Sequence, residues 1–139
     1  MAYSTITRKL YGLYAYYTIL FIFLYTAIDK IRAHDTFVAD MQKSVLIPAQ
    51  LVPLTANTVI SAELLIVGLL LGKKTRKMAF LLAALLLLLF TGYILLMLSV
   101  SPYLPCSCGG FIQALSWPQH LAFNSLLLIS CLVAFLNEE

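Results

Sequence analysis

Four long apolar stretches divide the chain, and polar or charged residues gather between them. The stretches run over about 10–28, 54–72, 78–100 and 118–136. A helix needs roughly 20 mostly apolar residues to cross the hydrocarbon core of a bilayer. The pattern therefore predicts an all-α protein: an integral membrane four-helix bundle that forms one domain over residues 1–139.

The segment between the first two spans has a helical period of its own. Phe37, Met41 and Val45 recur every four residues, as on one face of a helix. Pro48 and Pro53 then interrupt the chain before the second span. We expect a short interfacial helix in this outer loop, either as a lid over the mouth of the bundle or as an anchor at the membrane surface.

Composition agrees with a lipid environment. Hydrophobic residues make up 62% of the chain and charged residues 11%, whereas about a quarter of a typical soluble domain is charged. The few basic residues form no stripe interleaved with stacking aromatic side chains, which excludes a nucleic-acid interface. Membrane lipid is the surrounding partner that the sequence predicts.

The distribution of the basic residues predicts the orientation. Six of them precede the first span or lie between the second and third spans: Arg8, Lys9, Lys73, Lys74, Arg76 and Lys77. Only three lie between the first and second spans: Lys30, Arg32 and Lys43. The positive-inside rule then predicts both termini in the cytoplasm, and we expect a bacterial inner-membrane protein. The loop after the third span faces the periplasm, where disulfides persist.

That periplasmic loop contains a Cys-Ser-Cys turn, "LPCSCGGF", with Cys106 and Cys108. A disulfide between them closes almost no loop, so it contributes little to stability. A strained bridge is easily reduced and is a good oxidant. The spacing favours a redox-active pair. The alternatives are a structural or incidental pair, or ligands of a metal such as copper(I), with His120 recruited as a further ligand.

The fourth span carries three candidate residues. His120 and Asn124 are four residues apart and share a helix face. His120 lies near the outer surface, where it is a candidate base for a thiol or an interfacial residue bonded to a carbonyl. Asn124 is expected to join helices by hydrogen bonding or to line a quinone or proton-relay site. Cys131 lies about 16 Å beyond His120 along the helix, so we expect it to be a small buried hydrophobic residue.

Glu63 is the one ionisable residue well inside a span. A carboxyl at that depth is costly, so it should face the bundle interior. Thr91 and Tyr93 reach a similar depth, and Lys30 can extend its side chain toward Glu63 from the end of the first span. The functional interpretation is a proton relay or quinone site; the structural one is an interhelical hydrogen bond or ion pair.

Together these features resemble the DoxX-like superfamily and, within it, the MauE-type redox-associated membrane proteins. The resemblance covers about Leu10 to Leu136 and depends on "SAELLIVGLLLG", "PCSCGGF" and "LSWPQHLAFN". Many members have Cys-x-Cys-Phe-Gly where this chain has two glycines and then Phe111. The resemblance implies a small four-helix bundle similar to the core of quinone-linked thiol oxidases. It also implies disulfide formation or electron transfer for an exported partner.

Three functions follow from these residues. In the first, Cys106 and Cys108 exchange disulfides with a periplasmic thioredoxin-like or substrate protein, and electrons pass to a quinone near Glu63 or to another subunit. Because quinone-linked oxidases usually carry a second cysteine pair, either the partner supplies it or the quinone reacts directly. In the second, the chain is a non-catalytic accessory subunit of a larger envelope complex, packed through the aromatic face of the first span. In the third, the Cys-Ser-Cys turn handles copper.

Overall fold

Helices account for nearly all of the chain that the structure describes. The computed structural model describes residues 2–100 and 115–138. The helices are α1 (Ala2–Arg32), α2 (His34–Gln42), α3 (Val52–Leu71), α4 (Arg76–Val100) and α5 (Trp117–Asn137), with a 3-10 turn (Ala49–Leu51) before α3. Neither described range contains a strand, so the all-α prediction is confirmed.

Four of these helices are the predicted spans. Within the described residues, four helical segments are long and apolar enough to cross a membrane: Ile6–Arg32, Ala49–Leu71, Arg76–Val100 and Trp117–Asn137. The four-span prediction is confirmed. The helices extend past the predicted apolar limits because helical hydrogen bonding continues into the polar ends, as at Lys30 and Arg32 in α1.

The bundle packs through small residues and a few large ones. Phe80 of α4 is fully buried beside α1, α3 and α5 residues such as Ile19, Ile66 and Cys131. Five alanines line the same core: Ala15, Ala79, Ala83, Ala84 and Ala134. Small side chains let membrane helices approach closely. Most leucines on the outer faces stay exposed, as expected of surfaces that contact lipid.

The predicted helix of the first loop is present as α2, but it is shorter than the pattern indicated. It ends at Gln42, where the amides of Lys43 and Ser44 donate to the carbonyls of Asp40 and Met41 at 3.1 Å each. Val45 therefore lies outside the helix and is exposed, so the prediction that it shares a helix face with Phe37 and Met41 is wrong. Phe37 is buried and packs with Ala56 and Ile60 of α3.

Two ends of the bundle can be distinguished. We call one of them the α2 end. It is the end at which α2 lies, α1 ends, and α3 and α5 begin. At the opposite end, Arg76 at the start of α4 contacts Glu138 after α5 at 3.4 Å, and its guanidinium lies 4.2 Å from the Tyr16 ring centroid. There Thr75 Oγ1 donates to the Leu69 carbonyl at 2.7 Å, which closes the tight turn between α3 and α4.

Candidate functional site

A buried ion pair joins α1 to α3 in the half of the bundle nearer the α2 end. Lys30 Nζ donates to Glu63 Oε1 at 2.8 Å, and both side chains are at most 5% exposed. The pair forms because Glu63 lies about three turns into α3 and Lys30 is in the last turn of α1, so its long side chain extends back along the bundle axis. The expected approach of Lys30 to Glu63 is confirmed.

Neighbouring side chains enclose the ion pair. The Phe37 ring of α2 lies 5.7 Å from Lys30 Nζ, within cation–π range. The hydroxyl of Thr26, one turn before Lys30, lies beside the Glu63 carboxyl and donates to the Phe23 carbonyl at 3.2 Å. The pair is therefore held by residues from three helices. This satisfies the requirement that a buried charge be paired.

A cavity of about 270 Å³ opens beside the ion pair. Its walls are mostly apolar side chains from α1, α3, α4 and α5, and α2 contributes Phe37 and Met41. The polar lining residues are Thr26, Lys30, Thr55, Glu63, Tyr93, His120 and Asn124. Its size and its few polar groups among apolar walls resemble a small-molecule binding site.

His120 is the first titratable residue of α5 and lines this cavity. It is 5% exposed, and the Trp117 ring packs edge-on to its ring at a centroid distance of 5.8 Å. Its position is fixed by the start of α5, where the Ser116 N–H donates to Gln119 Oε1 at 2.9 Å. This contact caps the start of the helix. The structure thus brings His120 into the same cavity as Glu63, rather than leaving it at the surface.

Asn124 and Tyr93 face the same cavity from α5 and α4. The Tyr93 hydroxyl donates to Ser44 Oγ at 2.8 Å, and Ser44 Oγ also lies 3.7 Å from Met97 Sδ. Ser44 follows α2, so these contacts tie the first loop to α4. Thr91, expected at a similar depth, instead donates to the Leu87 carbonyl and does not line the cavity.

Two buried polar atoms near the cavity lack a hydrogen-bond partner among the described residues. They are Glu63 Oε2 and His120 Nδ1. Buried polar atoms are almost always satisfied, because leaving one unpaired costs about 1–3 kcal/mol. Both residues line the cavity, so a molecule bound there is a natural source of the missing partners.

Cys106 and Cys108 lie outside the described residues, in the stretch 101–114 that joins α4 to α5. The described part of the chain contains no group of three His, Cys, Asp or Glu side chains able to hold a metal ion, but the copper hypothesis concerns the undescribed pair. Cys131 is fully buried in the bundle core. Its interpretation as a small packing residue is confirmed.

A second concave surface runs along the lipid-facing side of α1. This groove, of about 820 Å³, is formed almost wholly by α1 residues between Leu10 and Tyr25, with Phe123 of α5. Tyr14 is 74% exposed and Tyr17 60% exposed on it. Ile22 and Phe123 line both the groove and the cavity, so the two spaces share a wall between α1 and α5.

Sequence reasoning missed Ser44 and Thr26. Ser44 is 6% exposed and organises the contacts of the first loop, and Thr26 lies against the Glu63 carboxyl. Thr26 lies four residues before Lys30 on the same helical face, and that spacing is the signal that identifies it. Ser44 follows the end of α2, so its hydroxyl could not be assigned a partner from local sequence.

Comparison with known proteins gives one match. A family model described as methylamine utilisation protein MauE covers residues 8–137, which is nearly the whole chain. No curated protein and no solved structure gives a significant match.

Proposed function

Since the chain belongs to the MauE family of methylamine utilisation proteins, we propose that it exchanges disulfides with an exported protein of that pathway. The reacting groups are Cys106 and Cys108. The partner is a periplasmic thioredoxin-like protein or a substrate with cysteine pairs. The DoxX-like superfamily is the wider group to which we assign the fold.

The proposed reaction has two stages, disulfide exchange with the partner and reoxidation by a quinone. A partner thiolate attacks the Cys106–Cys108 disulfide and forms a mixed disulfide, which the partner's second thiol resolves. The partner leaves oxidised, and this chain keeps both thiols in reduced form. Two electrons and two protons then pass from the dithiol to a quinone, which restores the disulfide and yields a hydroquinone.

One observation carries this proposal: a mostly apolar cavity with a buried ion pair, His120 and Asn124 lies at the end of the bundle where the Cys-Ser-Cys stretch is attached. An ionisable residue inside a membrane span is a functional-site candidate by default. A quinone ring fits such a site, because it needs apolar walls and a few polar groups at its oxygens. Glu63 and Asn124 are the residues that would contact it.

His120 is the proposed proton acceptor. It lies in the first turn of α5, six residues after the undescribed stretch, and lines the same cavity as Glu63. An imidazole can take a proton from a thiol and release it again near neutral pH. We propose that it accepts protons from the thiol pair and passes them toward the quinone site, with the loop on the periplasmic side and both termini in the cytoplasm.

The exposed aromatic face of α1 supports a second candidate, an accessory role in a larger complex. Tyr14, Tyr17 and Phe21 are exposed by 60% or more at depths where a span contacts lipid. A tyrosine hydroxyl in the hydrocarbon region gains from a polar partner. A second membrane subunit packed on this face would provide one.

An electron-transfer assay tests the first candidate. The purified chain in phospholipid nanodiscs is reduced, freed of reductant and mixed anaerobically with decylubiquinone. We expect Cys106 and Cys108 to become resistant to alkylation while one hydroquinone forms for each disulfide. The Cys106→Ser variant should form none. If the wild-type dithiol stays reduced, the proposal that it reacts directly with a quinone is wrong, and the accessory role becomes the better supported function.

A further inference from the structure

The Glu63 carboxylate divides its two oxygens between different surroundings. Oε1 accepts the hydrogen bond from Lys30 Nζ at 2.8 Å. Oε2 is buried and has no hydrogen-bond partner among the described residues, since the nearby Thr26 hydroxyl donates to the Phe23 carbonyl. Glu63 is only 2% exposed and lines the cavity. The ion pair therefore neutralises the charge of the carboxylate without satisfying its second oxygen.

An ionised carboxylate accepts hydrogen bonds and cannot donate them. A molecule that satisfies Oε2 must therefore present an N–H or O–H group. A hydroxyl facing a carboxylate makes a short, charge-assisted hydrogen bond. A carbonyl oxygen in the same place would meet another electron-rich oxygen at low dielectric, which is repulsive.

Water alone is a poor match for this cavity. Its volume of about 270 Å³ corresponds to roughly nine water molecules at about 30 Å³ each. Each ordered water needs two to four polar partners, whereas most of the lining side chains are apolar, among them Phe23, Phe90 and Phe123. A ring with a few hydroxyl groups fits the walls and the polar atoms together.

The cavity adjoins the lipid-facing groove on α1. Ile22 and Phe123 separate it from the groove on α1 and belong to both linings. The groove spans residues from Leu10 to Tyr25, or about 22 Å along the helix at 1.5 Å per residue. A ligand whose ring lies in the cavity would reach this groove with an apolar tail only past Ile22 and Phe123.

We infer that Glu63 makes the cavity selective for the reduced form of a lipid-soluble quinone, by accepting a hydrogen bond from a hydroquinone hydroxyl at Oε2. The inference rests on the proposed function for the identity of the ligand. Tighter binding of the reduced form raises the reduction potential of the bound couple, by about 30 mV for each tenfold difference in affinity. The bound quinone then becomes a stronger oxidant for the Cys106–Cys108 dithiol.

Glu63→Gln provides the decisive substitution. Lys30 still donates to the amide oxygen, so the amide nitrogen takes the place of Oε2. That nitrogen is a donor, and it should favour the carbonyl of the oxidised quinone. Glu138→Gln is the matched control, because it makes the same change in a carboxyl that contacts Arg76 at the opposite end of the bundle.

The experiment measures equilibrium binding of radiolabelled decylubiquinone and its hydroquinone to the full chain in nanodiscs, anaerobically and with correction for partitioning into lipid. We expect the wild type and Glu138→Gln to bind the hydroquinone at least tenfold more tightly than the quinone. Glu63→Gln should lose or reverse this preference while keeping its helical circular dichroism. If Glu63→Gln does not fold, the Lys30→Met/Glu63→Leu pair, which removes both charges, should bind both forms equally.

Equal affinities in the wild type, or an unchanged preference in Glu63→Gln or in the double variant, would overturn the inference. Binding of neither form would overturn it too. Each result is separate from the fate of thiol exchange, because every chain in this binding experiment, including the one called wild type, also carries Cys106→Ser and Cys108→Ser. The chain can exchange disulfides with a partner even if the cavity binds both forms of the quinone equally. Equally, the cavity can prefer the hydroquinone even if no disulfide exchange occurs.

Discussion

Lys30 Nζ and Glu63 Oε1 lie 2.8 Å apart across the α1–α3 interface, although the two residues are 33 positions apart in the chain. Each is almost fully buried in a segment that spans the membrane. Removing two charges from water costs several kcal/mol per ion, and their attraction offsets this only with good geometry. The pair is therefore weak evidence for stability by itself, but each partner depends strongly on the other.

Replacing one partner should destabilise the bundle more than replacing both. Lys30→Met leaves the Glu63 carboxylate buried without its cation, which we expect to cost roughly 3–5 kcal/mol in the free energy of unfolding. Lys30→Met/Glu63→Leu should recover most of that loss. Thermal unfolding of the purified chain in detergent, followed by circular dichroism, measures both.

Arg76→Met is the control for this cycle. It removes a cation from a partly exposed contact of 3.4 Å with Glu138, where ion pairs contribute about 0–1 kcal/mol. A double variant no more stable than Lys30→Met would contradict the coupling of Lys30 with Glu63.

Tyr93→Phe should loosen the first loop while leaving the bundle folded. The substitution removes the 2.8 Å hydrogen bond to Ser44 Oγ, which is worth about 1 kcal/mol. Ser44 follows α2, so we expect faster amide hydrogen exchange in residues 34–47 and unchanged exchange in α5. Tyr17→Phe, which alters an exposed tyrosine, should change neither region. Equal exchange in Tyr93→Phe and the wild type would show that this contact does not hold the loop.

The spans and the interior position of Glu63 could be predicted from sequence because both depend on transfer from water to lipid. A run of apolar residues and a lone carboxyl within one carry that information locally. The approach of Lys30 to Glu63 could also be predicted. Lys30 ends the first span at the same side of the membrane from which Glu63 is reached, and its long side chain can extend toward a buried carboxyl.

The cavity could not be predicted in the same way. It depends on which faces of α1, α4 and α5 meet, and apolar helices such as α4 have little contrast between faces. The end of α2 was misplaced because Val45 continues the four-residue spacing after the helix has stopped. The roles of Cys106, Cys108 and the membrane orientation remain predictions, since they concern the stretch 101–114 and the surrounding membrane.

The orientation can be tested with a membrane-impermeant maleimide on intact spheroplasts. In a Cys131→Ala background, the reduced Cys106–Cys108 pair should be labelled without permeabilisation, because the positive-inside rule places its loop outside. Lys74→Cys, in a chain without other cysteines, reports the opposite end and should be labelled only after permeabilisation. The reverse pattern for these two chains would invert the topology.

Trapping the exported partner tests the central claim most directly. Thiol exchange is reversible and passes through a mixed disulfide, so the single cysteine left in a variant can attack the disulfide of an oxidised partner. Without its neighbouring cysteine, this chain cannot release the partner through its own second thiol, and the partner should stay attached. Cys106→Ser and Cys108→Ser are made separately in the Cys131→Ala background, cells are quenched with acid, and free thiols are blocked. The account predicts that one variant carries a reductant-sensitive heavier band, absent from the Cys106→Ser/Cys108→Ser double variant, in which mass spectrometry identifies an exported cysteine-containing protein. No such band in either single variant, with a wild-type pair that keeps one redox state under both oxidant and reductant, would contradict it.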